Sequence, residues 1–356
     1  MKIASIQYLR GLAALLVVVA HNSSLLEGNW TKHIPGALGV DVFFIISGFI
    51  MTFITYHAPD SPFVFIVKRL FRIWPVFFFV WLLSFIFVYP ERSFSQMVCT
   101  LYFCLQDYSL PGPTFGYSAL GPPWTLSYEM MFYFIFAVSM SISYRYRSYI
   151  CTLVFVAAMT GFQLYYNGSF DFSSQVSPNI IVIHWWQAWI KLISNTIAFE
   201  FITGMLLAEL MVRKKISKLL YSRILAKIAF VIAIVGAVIV GPQVFGLSGG
   251  FWLALVIMIS AIILGGHNET EYSRILTFIG DISYSLYLVH YPVMVFFRNH
   301  LSDSATSIER ITIFMFSITV SIVIASVMFI WIETPSIRAG KKVAGMLSVA
   351  MRRYQH

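Results

Sequence analysis

An all-α, polytopic membrane protein of about ten transmembrane helices, with both termini cytoplasmic, is the fold class this sequence predicts. Three observations carry it. Of 356 residues, 59% are hydrophobic and 11% charged, and mean hydropathy is +0.79. A soluble domain carries about 25% charged residues, so this chain lacks the polar surface to face water. The apolar residues also come in blocks of roughly 18–25, the length that crosses a hydrocarbon core of about 30 Å as a helix. The block 311–332 has no acidic or basic residue, and 224–240 has only Lys227. Finally, the charges are asymmetric. With the N-terminus inside, the inner side holds Lys2, Arg10, Lys68, Arg69, Arg72, Arg145, Arg147, Arg213, Lys214, Lys215, Lys218, Arg223, Lys227, Arg274, Arg338, Lys341, Lys342, Arg352 and Arg353, which is 19 of the 24 basic residues. Such a bias sets orientation. It also gives the net charge of +9 a membrane reading, and no nucleic-acid partner is expected.

Spans are expected at 4–25, 37–57, 73–89, 124–143, 148–166, 188–211, 224–241, 250–266, 276–298 and 309–333. The stretch 1–20 has the look of a signal peptide, but Arg10 interrupts it and no small-x-small cleavage site follows, so it is read as a retained first helix. The segment 94–108 is ambiguous. Counting it as a span would flip every later loop and put 213–218 outside. We therefore read 90–123 as an outer connection, partly re-entrant or not. Its Pro111, Gly112, Pro113, Gly116, Gly121, Pro122 and Pro123 fit irregular backbone, which at membrane depth lines a cavity or packs on protein. A second long outer connection is 167–186. Two units result: a transmembrane domain, 1–335, and a basic cytoplasmic tail, 336–356, expected as an amphipathic segment on anionic membrane lipids. Cys99, Cys104 and Cys151 have no metal-type pattern with His. Free thiols and no metal are expected, with a Cys99–Cys104 pair open on an oxidising side.

Ionisable side chains within spans are costly and usually functional. Those that stand out are Arg10, His21, Asp41, Glu129, Glu200, Asp281 and His290. Arg10 and His21 have ten residues between them. Eleven steps of about 100° return to the same helix face, about 16 Å further along the axis. A polar seam facing a cavity fits this pair; a snorkelling Arg and a structural His fit it too. Ser283, Tyr287 and His290 share a face at i, i+4 and i+7, whereas Asp281 points away from His290. His290 before Tyr291-Pro292 also suits a kink. His184, Trp185 and Trp186 read as an interface belt first and a sugar-stacking platform second.

Six runs, in order, resemble the acyltransferase-3 family. Tyr8-Leu9-Arg10-Gly11 followed by His21 is similar to its first helix, and the run from Gly39-Val40-Asp41 to Ser47-Gly48-Phe49 to its second. Lys68-Arg69-Leu70-Phe71-Arg72-Ile73-Trp74-Pro75 matches its basic third-helix entrance. Trp124-Thr125-Leu126-Ser127-Tyr128-Glu129 resembles its Trp-Ser-Leu-Ser-x-Glu motif, with Thr125 at the first Ser position. The run from Gly280-Asp281 through Ser283, Tyr287 and His290 to Pro292 looks like its late signature, and Glu333-Thr334-Pro335 like its ending. The resemblance implies a bacterial inner-membrane O-acyltransferase. It would take acetyl-CoA, or another short acyl-CoA, as donor and a sugar or polysaccharide hydroxyl as acceptor.

Acyl transfer to a hydroxyl needs a base, a thioester within reach and stabilisation of the oxyanion. The resemblance makes His21 the candidate, either deprotonating the acceptor or carrying the acyl group itself. No G-x-S-x-G nucleophile elbow is present. Lys68, Arg69 and Arg72 at the inner mouth suit coenzyme phosphates, though ordinary positive-inside charge explains each as well. Trp74 suits stacking on adenine. Arg10 suits either the pyrophosphate or charge near the thioester. Asp41 and Glu129 suit orienting the imidazole or binding sugar hydroxyls, and structural ion pairing competes for both. Ser283, Tyr287 and His290 are expected to line the same acceptor-binding cavity. Glu200 has no matching motif. A glycolipid or exopolysaccharide transporter is the competing reading; inverted repeats with broken helices would favour it, and none is visible.

Overall fold

The structure, a computed structural model, describes residues 3–28, 31, 33–213, 222–265 and 273–353. Lys2, Lys214, Lys215 and Lys218 of the inner-side charges lie outside the described residues, as do the side chains of Arg352 and Arg353. The described residues form helices and the connections between them. Their only strand-like pairing is an isolated bridge between Ser118 and Gly121.

The helices fall where the hydropathy blocks lie: α1 Ala4–Asn22, α2 Gly36–His57, α3 Pro62–Phe87, a short α4 Phe94–Leu101, α5 Trp124–Ile142, α6 Arg147–Asn167, α7 Trp185–Ile193, α8 Ala198–Val212, α9 Arg223–Val240, α10 Phe251–Gly265, α11 Arg274–Asn299, α12 Ser307–Met328 and α13 Thr334–Arg353. Seven are long and apolar enough to cross a bilayer, or eight if the bent α7–α8 pair is one span. Of the remaining expected spans, α10 has only 15 residues, and α11 has 26 but carries the polar residues of the site.

Three departures from the expected boundaries matter for the site. The third span begins eleven residues early, at Pro62, because Ser61 caps the helix by accepting from the Val64 N–H at 3.3 Å and Pro62 takes the first position, where its missing N–H costs nothing. Arg69 and Arg72 are therefore set inside a helix. The sixth span is broken by 57°. Ser194, Asn195 and Thr196 interrupt the apolar run, and the Asn195 side chain accepts from the Ile197 N–H at 3.0 Å, competing with helical bonding. The last span does not end at 333. It passes through a π-helical turn, Phe329–Glu333, directly into α13, so the expected 335/336 boundary falls inside continuous helix. Pro335 has no N–H for the preceding turn, which accounts for the change of winding there. The side chains of α13 fold back on α3, with Gly340 against Phe71 and Ala344 buried.

Helix α2 is central: 78% of its apolar window is buried, against 17% for peripheral α9. Small residues let its neighbours approach closely, as in membrane bundles generally. A Cβ on Gly39 would sit 2.8 Å from Ala13 O of α1, and one on Gly11 would sit 2.8 Å from Gly280 N of α11. Helix α1 is thus gripped between α2 and α11. The 90–123 segment does not cross the bundle. It folds over one end of α5, held by Ser127 Oγ donating to Phe103 O (2.6 Å), Tyr128 Oη to Pro113 O (2.9 Å) and Lys191 Nζ to Tyr108 O (2.7 Å).

Candidate active site

Because α1 packs along α11, its polar stripe finds partners there at both levels. At one level, Arg10 Nε donates to Ser283 Oγ (2.7 Å) and Arg10 Nη2 to Gly280 O (2.6 Å). Gln7, one turn away, donates to Asp281 Oδ1 at 2.7 Å. Eleven residues on, the second member meets a second histidine: His290 Nε2 lies 3.3 Å from His21 Nδ1. His21 Nδ1 also faces Val17 O at 2.9 Å, and His290 Nδ1 faces Leu286 O at 3.1 Å. His290 is fully buried; His21 is half-buried, its ring edge-on to Tyr291 with centroids 5.4 Å apart.

These contacts fix the tautomers, assigned from the partners. A carbonyl can only accept, so His290 Nδ1 carries its proton and His290 Nε2 is an acceptor. The His21 Nδ1–H is then directed at Val17 O and His290 Nε2. The lone pair of His21 Nε2 is left over.

A cavity of about 570 Å³ opens between α1, α2, α3, α5, α11 and α13. Arg10, Arg69, Arg72, Glu129, Ser283, Tyr287, Glu333, Arg338 and Lys341 line it. Glu129 accepts from Tyr133 Oη and from Ser47 Oγ (3.4 Å). Arg69 lies over the rings of Phe65 and Tyr133, 5.2 and 5.3 Å from their centroids. Glu333, presented by the π-helical turn, accepts from Ser285 Oγ at 2.7 Å. Tyr287 closes the cavity on the histidine side. Its single hydroxyl proton goes to Pro122 O (2.6 Å), so Thr125 Oγ donates to it (2.8 Å). Its ring lies 5.9 Å from that of His290.

Not every expected site residue arrives. Lys68 is held by Asp60 at 2.6 Å and does not line the cavity. Trp74 stacks on Phe78 and is 42% exposed on the bundle's outside, so its ring is turned away from the cavity rather than towards a bound adenine. Asp41 does not reach His21. It is fully buried, accepts from the Gly246 N–H at 3.2 Å and lies against the carboxyl of Glu200. Glu200, without a motif in the sequence, is therefore its neighbour and not a cavity residue. Ser283 and Tyr287 face the cavity as their shared helix face requires, but His290 sits behind Tyr287 against His21 and does not line it. Trp185 and Trp186 lie at the exposed start of α7, 77% and 45% accessible. Glu333, Arg338 and Lys341 are among the lining residues not expected at the site. In the sequence Glu333 stands out only within a motif, and the signal for Arg338 and Lys341 is their spacing after it, meaningful only if the last helix continues.

A family model described as an acyltransferase domain matches residues 3–330, nearly the whole chain. The exopolysaccharide production protein ExoZ of Rhizobium meliloti (strain 1021) is 28% identical over 268 residues, covering 72% of this chain and 75% of its own. The O-acetyltransferase OatA of Staphylococcus aureus is 24% identical over 373 residues, covering 95% of this chain and 58% of its own. The peptidoglycan O-acetyltransferase OatA of Listeria monocytogenes is 24% identical, covering 94% of this chain and 55% of its own. The chain thus spans little more than half the length of these OatA proteins. No solved structure matches it.

Proposed function

As the chain belongs to the acyltransferase-3 family and is a membrane acyltransferase, we propose that it moves an acetyl group from cytoplasmic acetyl-CoA to a hydroxyl of a surface polysaccharide or lipid-linked sugar. We place it in the bacterial inner membrane, with the basic end of the bundle cytoplasmic. The relatives' names, exopolysaccharide production protein and O-acetyltransferase, support a sugar acceptor.

The observation that carries the reading is the histidine pair behind a basic cavity. With its Nδ1–H directed at Val17 O and His290, His21 keeps Nε2 for a substrate proton. The acceptor hydroxyl gives that proton to Nε2 as its oxygen attacks the thioester carbonyl. The C–S bond breaks, the coenzyme leaves as thiolate, and the proton on His21 returns to the sulfur. The donor occupies the 570 Å³ cavity, whose size is ordinary for a small-molecule site, with Arg69 and Arg72 towards its phosphates. The acceptor comes from the opposite end, where His21 is half-exposed. Tyr287 is the partition the thioester must pass. His290 is a positioning residue rather than a sugar contact.

Transfer of isotopically labelled acetyl from acetyl-CoA to an oligosaccharide, by protein reconstituted in lipid nanodiscs, tests this directly. Surface glycans that are identical by mass spectrometry with and without the gene would count against it. Arg72→Ala is expected to raise the KM for acetyl-CoA about tenfold, the scale of one charge-assisted phosphate contact, while Lys68→Ala and Trp74→Ala leave it near wild type. His290→Ala should lower kcat about tenfold with donor KM unchanged, and His290→Gln, which keeps an acceptor, should recover part of the loss.

A further inference from the structure

The continuous last helix brings cations to the cavity that the sequence had assigned to a lipid-facing tail. Thr334, Ile337, Arg338 and Lys341 line the cavity at i, i+3, i+4 and i+7, one stripe of a helix. A neighbouring face meets α3 at Gly340, against Phe71, and carries the buried Ala344, which fixes the rotation of that stripe. Lys342, next along the chain, does not line the cavity. Among the described lining residues, five cations (Arg10, Arg69, Arg72, Arg338, Lys341) face three carboxyls (Glu129, Asp281, Glu333). Arg10 is committed to α11, and Arg69 is stacked on two rings. Glu333 is level with Ser285 of α11. Lys341 lies eight residues, about 12 Å, further towards the basic end, and His290 lies five residues, about 7.5 Å, the other way. Arg338 and Lys341 therefore stand at the end of the cavity remote from the histidines.

We propose that Arg338 and Lys341 form the phosphate-binding mouth of the donor site, gripping the 3′-phosphate and diphosphate end of acyl-CoA. This rests on the donor assigned under the proposed function. The thioester end then points past Ser283 to Tyr287, the nucleotide end stays at the exposed mouth, and an extended pantetheine arm lies between them. Anionic lipid headgroups present the same phosphate chemistry, so the test separates the two sources.

The steady-state KM is measured in nanodiscs of phosphatidylcholine alone with three donors: acetyl-CoA, 3′-dephospho-acetyl-CoA and S-acetylpantetheine. For Arg338→Ala/Lys341→Ala the KM for acetyl-CoA should rise about tenfold or more. It should rise less for the dephospho donor and not at all for S-acetylpantetheine. Arg338→Lys/Lys341→Arg, which keeps both charges, should recover part of the loss, and Lys342→Ala should match wild type with every donor. An equal change with all three donors, or none, overturns the proposal. So does an effect that Lys342→Ala reproduces, or one that arises only when anionic lipid is added, since both belong to a leaflet contact. If wild type transfers acetyl from none of the three, the proposed function itself fails, and this inference with it.

Discussion

His21→Ala is expected to abolish acetyl transfer while leaving a folded protein in the membrane. A positioned general base contributes about 10²–10⁴-fold in rate, so kcat should fall by that factor with little change in donor KM, because His21 does not line the 570 Å³ cavity proposed to hold the donor. Folding should survive because the ring is half-buried and its contacts are few: one carbonyl of its own helix, one histidine and the edge of Tyr291. Losing them leaves His290 Nε2, an acceptor, facing the space the His21 ring vacates. Labelled-acetyl transfer, run beside size-exclusion elution of the solubilised variant, gives both readouts. A well-folded His21→Ala protein that still transfers acetyl at the wild-type rate would remove the base from the mechanism.

The second large effect is on assembly. Gly48 of α2 and Gly204 of α8 face each other's backbones, and a Cβ on either would collide with a carbonyl oxygen, Phe201 O in one case and Ile45 O in the other. Neither carbonyl is the end of a flexible side chain, so the helices must separate. Gly48→Ala and Gly204→Ala should each cost at least about 3 kcal/mol, the upper part of the range for overpacking, and should lower the yield of monodisperse protein. They would also part Asp41 from Glu200, since these carboxyls meet across the same pair of helices. Gly161→Ala is the control of opposite sign. It lies within α6 with nothing within 4 Å of its Cβ position, so removing a helix-interior glycine should stabilise by about 0.5–1 kcal/mol. Thermal midpoints in detergent, compared across the three variants, check both signs. Equal midpoints for Gly204→Ala and Gly161→Ala would mean that α2 and α8 do not pack this way.

The site is half legible in the same terms. The 3.6-residue period alone put Arg10 and His21 on one stripe and Ser283, Tyr287 and His290 on another, and α1 and α11 bring those two stripes together. The period could not say which members face the cavity. Tyr287, tied to Thr125 and Pro122, stands between it and His290. Lys68 and Arg69 are sequence neighbours of one charge, yet one is held by Asp60 and the other lines the cavity, a difference set by rotation on α3. The neighbour of Asp41 is not legible locally, because Glu200, the carboxyl beside it, lies 159 positions later in the chain.

By itself the sequence determined the features that local chemistry dictates: apolar blocks long enough to be buried in lipid, and the stripe each polar residue occupies. Which stripe meets which was decided only by tertiary packing. Glycine-to-backbone contacts set the separation and rotation of α1, α2, α8 and α11. The return of α13 onto α3 through Gly340 carried Arg338 and Lys341 into the cavity. A helix's period fixes directions around its own axis, whereas its rotation against a neighbour depends on contacts hundreds of residues apart.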